Sequence, residues 1–244
     1  MIHYHGIPLS GGNEVTIRVM AGRHVFATFA DPAPLAAVAD LCSTFALDNG
    51  AFSHWKRGQP VDWEKYYLWV GEWRAAPGFD WAVIPDVING TEQENDDLLE
   101  AWPFPRHEGV PVWHLHESLD RLRRLANEWP RIALGSSGSW STVGNADWWG
   151  RINSAMSAIC ADGRPICKIH GLRMLSPAVF THIPFSSADS TNVARTLGFD
   201  SRWKGTYQPG TKVGKGVVLA ERIESHQSPS CWRRRDVHIQ NLLF

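Results

Sequence analysis

The chain has 244 residues, of which 43% are hydrophobic and 20% charged, and its formal net charge is −1. These values are typical of a globular protein with a sizeable core, and the length fits a single α/β barrel. No apolar run approaches the length of a membrane span and the start MIHYHGIPL lacks the features of a secretory signal, so we expect a cytoplasmic location and no membrane partner.

Short runs of β-branched and aromatic residues recur along the chain, each ending in Gly, Pro, Asp, Asn or His. The predicted strands are residues 2–8, 24–29, 44–48, 81–86, 110–116, 131–135, 166–171 and 182–189. The helix-compatible segments between and after them are residues 34–43, 63–73, 93–102, 118–129, 146–162, 176–180 and 190–199. Eight βα units with near-continuous apolar strands predict a closed parallel (β/α)8 TIM barrel, because such strands are buried on both faces.

The last part of the chain breaks this pattern. Residues 200–244 are rich in turn formers, with one short predicted strand at VVLAER (217–222). They carry a charge of +4, which leaves −5 for residues 1–199. We interpret residues 1–199 as the barrel domain and residues 200–244 as a short basic appendage of loop and hairpin. A basic end on an acidic body favours a docked polyanion, although an ordinary solvated surface is an alternative.

Polar residues stand where the predicted strands end, which is where barrels of this kind place their chemistry. They are Asp48, Asp86, His114, His116, Glu117, the stretch Gly135-Ser136-Ser137-Gly138, His170-Gly171 and Asp189. A barrel core needs none of them, because an unpartnered buried carboxylate is costly. We therefore predict one site in which the three aspartates meet.

Each of these residues has a simpler interpretation. Asp48 could cap a turn, Asp86 could cap the following loop, and Asp189 could cap the next helix. The histidine pair on the fifth strand could bind a metal, or its hydrogen bonds could be satisfied within the protein. The GSSG stretch could be a plain loop or a nest of backbone N–H groups that binds an anion. Four scattered cysteines without a CxxC pair predict reduced thiols, with no disulfide framework, no structural metal and no other cofactor.

Six motifs in chain order resemble a known family. They are LDNGAFS, WAVIPDV, VPVWH, IALGSSG, KIHGLRMLSP and FSSADSTNVAR. Together they resemble the guanine transglycosylases, which exchange a guanine in a nucleic acid for a 7-deazaguanine, and most closely the short phage-type branch called DpdA, which acts on DNA. The resemblance implies a TIM-barrel transferase whose partners are DNA and a free 7-deazaguanine base, acting in the cytoplasm of a bacterial host if it is phage-encoded.

The resemblance also implies roles for individual residues. Asp189 resembles the nucleophilic aspartate, Asp48 the aspartate used for proton transfer, and Asp86 the aspartate that reads the guanine edge. Phe52 falls at the base-stacking aromatic and His114 near a glutamine that contacts the base.

Other positions complete or depart from the family pattern. Gly135 and Ser136 occupy the Gly-Gly position beside the base, and His170 and Gly171 join the predicted base pocket. Ser53 stands where the family's DSGGFQ-like motif has glutamine. The clustered cysteines of the zinc site in the tRNA enzymes are missing, which disfavours a tRNA substrate.

The chemistry fits the residues without the resemblance. Exchange of a base at C1′ with retention needs a carboxylate nucleophile and a separate acid or base, the roles given to Asp189 and Asp48. An ionised Asp86 can accept from N1 and N2 of guanine but not from adenine. The target base must be flipped out of a duplex or lie in a single strand.

Cations interleaved with aromatic residues predict a nucleic-acid-binding surface near the C-terminus. The predicted nucleic-acid-binding residues are Arg195, Arg202, Trp203, Lys204, Lys212, Lys215, Arg233, Arg234 and Arg235.

Three alternatives stay open. The first is a tRNA-guanine transglycosylase-like enzyme. The second is a metal-dependent amidohydrolase-like barrel, in which His3 and His5 would bind metal with His114 or His116 and Asp189. The third is an inactive nucleic-acid-binding homologue.

Overall fold

The computed structural model describes residues 1–196, 203 and 206–235, and for residues 195 and 196 it describes the backbone alone. The chain forms an α/β fold around a nine-stranded parallel sheet that is nearly closed and TIM-barrel-like. The sheet strands are β1 (Ile2–Ile7), β2 (His24–Thr28), β3 (Thr44–Asp48), β4 (Phe79–Val83), β5 (Gly109–Val110), β6 (Val112–His114), β7 (Arg131–Gly135), β10 (Lys168–Gly171) and β11 (Ser187–Ser190). An antiparallel pair, β8 (Cys160–Ala161) and β9 (Arg164–Pro165), lies outside it.

The sheet nearly closes because its two edges belong to one stretch of chain. The strand order is β5-β4-β3-β2-β1-β11-β10-β7-β6, and only Pro111 separates β5 from β6. Proline cannot donate to the ladder, so the strand is interrupted there. Gly109 and Val110 pair with β4, whereas residues 112–114 pair with β7. Each of the eight predicted strands overlaps an observed one, with the fifth split in two.

Helices surround the sheet. They are α1 (Asn13–Met20), α2 (Pro34–Val38), α3 (Ala51–Lys56), α4 (Trp63–Trp73), α5 (Glu92–Glu100), α6 (Leu119–Glu128), α7 (Ala146–Ile159), α8 (Pro177–Phe180), α9 (Asn192–Thr196) and α10 (Lys212–Glu224). The sequence analysis missed α1, α3 and α10. Among the helices in the described part of the chain, none combines the length and the hydropathy that a bilayer crossing requires.

Side chains alternate between the inside of the barrel and the layer under the helices, as the pleat of a strand requires. Tyr4, Phe26 and Trp81 belong to the inner cluster. Their neighbours along the strands, such as Val25 and Ala82, belong to the larger outer cluster. A side chain at the end of a strand therefore faces the mouth of the barrel when it is in phase with the inner cluster.

The strand predicted at residues 217–222 is wrong, because this stretch lies in α10. Thr211 caps the helix by accepting a hydrogen bond from the backbone N–H of Gly214. The helix packs against α1, α9 and β1, and it buries Leu219 and Ala220. The glycines near its start had suggested turns, but tertiary packing outweighs their low helix propensity. The proposed division of the chain at residue 200 stays a prediction.

The segment after α10 crosses the end of the barrel at which the strands begin. Gln227 Oε1 lies 2.6 Å from the N-terminal amine of Met1, and the Ser228 hydroxyl donates to the carbonyl of Phe180 at 2.9 Å. The Trp232 N–H donates at 2.7 Å to the carbonyl of Gly163, in the turn between β8 and β9. We call residues 225–235 the C-terminal strap. The strap begins at the end of the barrel opposite the mouth and then runs along the outside of α7, where the Arg235 N–H donates to Asn153 Oδ1 at 3.2 Å.

Candidate active site

The three aspartates of the predicted site meet at the mouth of the barrel. Asp48 ends β3 in phase with Ala46 of the inner cluster, and Asp189 lies beside Tyr4 in the register of β1 and β11. Asp86 follows β4 and is buried. The charges of Asp189 and Asp86 both raise the pKa of Asp48, so the three carboxyl groups share one space.

Asp48 has the most perturbed acidity of the three. Burial is the main cause that raises the pKa of its carboxyl from 3.8 to about 7, and the two neighbouring carboxylates add to it. Hydrogen bonds with the Thr28 side chain and the Gly50 backbone act in the opposite direction. The group is surrounded by protein but keeps some contact with solvent. Near neutral pH it can therefore exist in both protonation states, as a general acid and base requires.

Asp86 is held by an amide and an imidazole side chain. Asn49 Nδ2 donates to Asp86 Oδ1 at 2.6 Å, and His114 Nε2 lies 2.8 Å from Oδ2. Each carboxylate oxygen has a second lone pair that can accept from a bound base. Thr91 forms the capping box of α5, so Asp86 does not cap that helix. The carboxylate is positioned and retains the capacity to bind a donor pair.

Asp189 is 3% exposed and both of its observed contacts use one oxygen. Its Oδ1 accepts from the Arg173 backbone N–H at 2.8 Å and lies 3.2 Å from His170 Nε2. In the residues that the structure describes, no hydrogen bond to Oδ2 occurs. The Asn192 N–H is satisfied by the Ser190 hydroxyl at 2.8 Å, so the interpretation of Asp189 as a helix cap is not supported.

His170 is placed to hold Asp189, and its predicted contact with the substrate base stays a prediction. The ring is fully buried between Asp189 and Ser187, whose hydroxyl lies 2.8 Å from Nδ1. Burial lowers the pKa of His170, so the imidazole is neutral and has a single N–H. With Ser187 donating to Nδ1, Nε2 carries that hydrogen and donates it to Asp189.

His114 and Gly135 pack closely beside Asp86. A Cβ atom added to Gly135 would lie 3.1 Å from His114 Nδ1, so a larger residue would crowd the ring. Nδ1 is buried and finds no hydrogen-bond partner in the part of the chain that is described. If Nε2 donates to Asp86, Nδ1 is a free acceptor that faces the end of β7.

Two predicted base-pocket residues have structural contacts instead. The Ser136 hydroxyl accepts from Trp148 Nε1 at 2.9 Å and is therefore turned toward α7. A Cβ atom on Gly171 would lie 2.8 Å from the Phe185 ring, so this glycine permits close packing outside the barrel.

His116 bridges Ser137 and the carbonyl of Gly90, which satisfies both of its nitrogens and disfavours a metal-binding role.

Phe52 lies on α3 beside the mouth, with 36% of its surface exposed. Helix α3 follows Asp48 directly because Gly50 takes a positive φ of 75° and turns the chain. The guanidinium carbon of Arg173 lies 3.9 Å from the centre of the Phe52 ring. The sequence analysis missed Arg173, because its proximity to the mouth depends on two separate loops meeting.

The predicted nucleic-acid-binding residues do not form one surface. Trp203 is 4% exposed and covered by Arg222, so it is not placed to stack on a base. Arg233 and Arg234 are exposed on the C-terminal strap. The Arg235 guanidinium packs 4.4 Å from the centre of the Trp149 ring.

The remaining members of that set lie elsewhere or are not described. Lys212 and Lys215 lie in the first turn of α10, and the Lys212 stem approaches Gly11 in the loop after β1. The side chain of Arg195, and Arg202 and Lys204 entirely, lie outside the described residues.

The metal cage of the amidohydrolase alternative does not form. His3 and His5 point away from the inside of the barrel, toward the carbonyl of His226 at 3.0 Å and Glu224 Oε1 at 2.9 Å. Within residues 1–196, 203 and 206–235, no group of three or more His, Cys, Asp or Glu is arranged to hold a metal ion. The four cysteines are free thiols.

Comparison with known proteins finds no family model and no curated protein that matches this chain.

Proposed function

We propose that this chain is a DNA guanine transglycosylase with a (β/α)8 TIM barrel, which exchanges guanine in DNA for a free 7-deazaguanine base in the cytoplasm. The observation that carries this proposal is the meeting of Asp48, Asp86 and Asp189 at one mouth, each with different hydrogen-bonding partners. Such separation of roles among neighbouring carboxylates is typical of sites that combine nucleophilic and acid–base catalysis.

In the first displacement, Asp189 Oδ2 attacks C1′ of the target deoxyguanosine. The new bond joins that oxygen to C1′, the bond from C1′ to N9 of guanine breaks, and its electron pair leaves with the base. His170 and the Arg173 N–H hold Oδ1. These contacts fix the orientation of the carboxylate and therefore the direction from which Oδ2 attacks. Protonated Asp48 gives its proton to the departing guanine, which leaves as a neutral base.

In the second displacement, the 7-deazaguanine enters the same pocket. Asp48, now ionised, takes the proton from N9 of the incoming base, N9 attacks C1′, and Asp189 leaves as a carboxylate. Two inversions give net retention at C1′. A pKa of about 7 for Asp48 suits both directions of proton transfer.

Asp86 gives the base specificity in this proposal. Its two oxygens accept from N1–H and N2–H, which guanine and 7-deazaguanine share and adenine lacks. Asn49 and His114 hold the carboxylate in a fixed orientation, which reduces the entropy lost on binding. Phe52 supplies an aromatic face for the base once Arg173 moves from it.

The test is release of labelled guanine from a single-stranded oligodeoxynucleotide, with candidate 7-deazaguanines in the reaction. We expect release that depends on an added 7-deazaguanine, and an oligonucleotide covalently bound to Asp189 when the second base is withheld. The same sequence as RNA, and intact tRNA, serve as competing substrates. Exchange into tRNA alone would replace the DNA assignment, and DNA binding without release from either polymer would favour an inactive homologue.

A further inference from the structure

We propose that α3 and Arg173 form the surface that holds the DNA strand on either side of the target nucleotide. We define the α3 surface as the exposed side chains of Phe52, Trp55, Lys56, Arg57 and Arg173. This inference rests on the proposed function, since it locates the strand by the nucleotide whose base enters the mouth. It also assigns to α3 and Arg173 the nucleic-acid-binding role that the sequence had predicted for the C-terminal segment.

The helix is firmly joined to the catalytic loop. Asp48, Asn49 and Gly50 lead directly into α3, and Asn49 Oδ1 accepts from the Ala51 N–H at 2.9 Å. The same Asn49 donates to Asp86. A strand bound on α3 is therefore held at a defined position relative to two of the three carboxylates.

Two exposed aromatic rings on α3 offer stacking faces. Phe52 and Trp55 are 36% and 49% exposed, and their ring centres lie 5.7 Å apart with an interplanar angle of 43°. Exposed large aromatics next to each other are unusual on a surface with no partner, and single-stranded nucleic acids stack bases on such rings. Phe52 lies nearer the mouth, so we assign it to the target base and Trp55 to a flanking base.

The cations of this surface are available for phosphates. Lys56 and Arg57 are exposed at the end of α3, and no ion pair joins either of them to a carboxylate in the described portion of the chain. The mouth itself carries three carboxyl groups and repels a phosphate backbone. Cations beside the mouth offset that repulsion, whereas Arg233 and Arg234 lie on the strap, next to the residue that packs on the outside of α7.

Arg173 connects the nucleophile with the stacking face. Its φ of 59° is in the left-handed region, and this backbone conformation accompanies an N–H that donates to Asp189 at 2.8 Å. Its guanidinium covers the Phe52 ring. A base that stacks on that ring displaces the guanidinium, and an exposed cation–π contact is weak enough to be exchanged. Because the Arg173 backbone contacts Asp189, the freed guanidinium stays within one side-chain length of the nucleophile, where it can bind a phosphate of the strand bidentately.

The experiment compares two double variants with equal changes in charge. Lys56→Gln/Arg57→Gln changes the α3 surface, and Arg233→Gln/Arg234→Gln changes the strap. Binding of a fluorescent guanine-containing oligodeoxynucleotide is measured by anisotropy over a range of salt concentrations. We expect the α3 variant to lose on the order of tenfold in affinity and about 1.4 in the slope of log K against log salt, since each lost phosphate contact on a single strand contributes about 0.7. The strap variant should match the wild type.

Arg173 and Trp55 have separate readouts. Arg173→Gln keeps the backbone N–H that contacts Asp189, so we expect kcat/KM for DNA to fall about tenfold, mainly through a rise in KM. DNA should change the tryptophan fluorescence of the wild type, and Trp55→Phe should remove that change.

The results separate this inference from the proposed function. A strap variant that weakens binding more than the α3 variant would overturn the surface, even if the wild type exchanges guanine. Loss of binding in the α3 variant of a protein that exchanges no base would support the surface and leave the enzymatic proposal without support. Tighter binding of the same sequence as RNA would overturn the assignment to DNA.

Discussion

The acidic groups at the two ends of the barrel have different kinds of hydrogen-bonding and ionic partners. Where the strands begin, Asp80 accepts from the Tyr4 hydroxyl and pairs with Arg131 at 3.4 Å. Glu224 similarly pairs with Arg23 at 3.1 Å and His5 at 2.9 Å. At the mouth, by contrast, no Lys or Arg forms an ion pair with any of the three aspartates in the described structure.

The difference indicates what each end is for. Pairing a carboxylate with an arginine offsets the cost of desolvation, so the acidic groups at the closed end, where the strands begin, are compensated, and breaking such a pair costs stability. Amide, imidazole and backbone partners at the mouth orient the aspartates without a lysine or arginine to compensate their charge, which costs stability and preserves reactivity. A cleft of about 500 Å³ between Pro130, Ile166 and Pro229 also opens at the closed end, but it contains none of the three aspartates.

The largest effect should come from the nucleophile at the mouth. Asp189→Asn keeps the size of the side chain and an acceptor for the Arg173 N–H, so the fold should persist. We expect base exchange to fall by at least ~10³-fold, with DNA affinity within a few-fold of the wild type. Guanine release and anisotropy measure the two quantities. Retained exchange would exclude Asp189 as the nucleophile.

Proton transfer should show the next largest effect. Because the pKa of Asp48 is about 7, kcat/KM of the wild type should change with an inflection near neutral pH. Asp48→Asn should reduce the rate by about 10²-fold or more and remove that inflection. An exchange assay from pH 5.5 to 9 tests both, with Asp147→Asn as an exposed control. An inflection that persists in the Asp48 variant would assign it to another group.

The closed end should respond in stability and not in chemistry. Asp80→Asn leaves Arg131, whose side chain is 14% exposed, without its carboxylate. We expect a loss of about 2 kcal/mol in the free energy of unfolding, below the value for fully buried pairs because Asp80 is 25% exposed. Denaturant titration measures it, and kcat should be unchanged. Asp120→Asn, which removes an exposed pair with Arg123, should change stability by less than ~0.5 kcal/mol.

The smallest effect is a pH-dependent difference in stability at the mouth. Folding raises the pKa of Asp48 above its ordinary 3.8, so the folded state binds more protons than the unfolded state between about pH 4 and pH 7. Wild-type stability should therefore fall across this window and level off above it. Asp48→Asn does not titrate and therefore lacks this loss. Its free energy of unfolding relative to the wild type should rise by about 1 kcal/mol from pH 5 to pH 8, a value reduced because Asp48 keeps partial solvent contact.

Thermal unfolding across that pH range measures this difference, with Asp147→Asn as the control. An advantage of the Asp48 variant that shrinks as pH rises would contradict the direction of the pKa change.

Local patterns were sufficient for the barrel strands but not for the parts that depend on distant contacts. Strands β3 and β7 were predicted at their observed bounds because buried strands in parallel sheets are continuous apolar runs. Helix α3 was missed because six residues are too few to show a helical period. Helix α10 was missed because its glycines suggested turns, and only its packing against α1 and β1 makes it helical.

The candidate site divides in the same way. The meeting of Asp48, Asp86 and Asp189 could be predicted from the sequence, because each follows a predicted strand and parallel strands bring their carboxyl ends together. The directions of the predicted pocket residues could not be predicted in this way. Ser136 turns toward α7 and Gly171 packs against Phe185, whereas His170 faces the inside of the barrel and contacts Asp189. Side-chain direction at a strand end depends on the loop that follows, and a strand pattern carries no information about it.

The amino-acid pattern alone was enough to predict the alternating βα order and three acidic residues at the ends of separate strands, because strand burial and chain order are local properties. The folded chain was needed to show that Arg173 covers Phe52, that Trp203 is buried, and that the strap runs from Gly163 to the outside of α7. These arrangements join residues far apart in the chain, and their energies come from packing and desolvation that arise only when the barrel has formed.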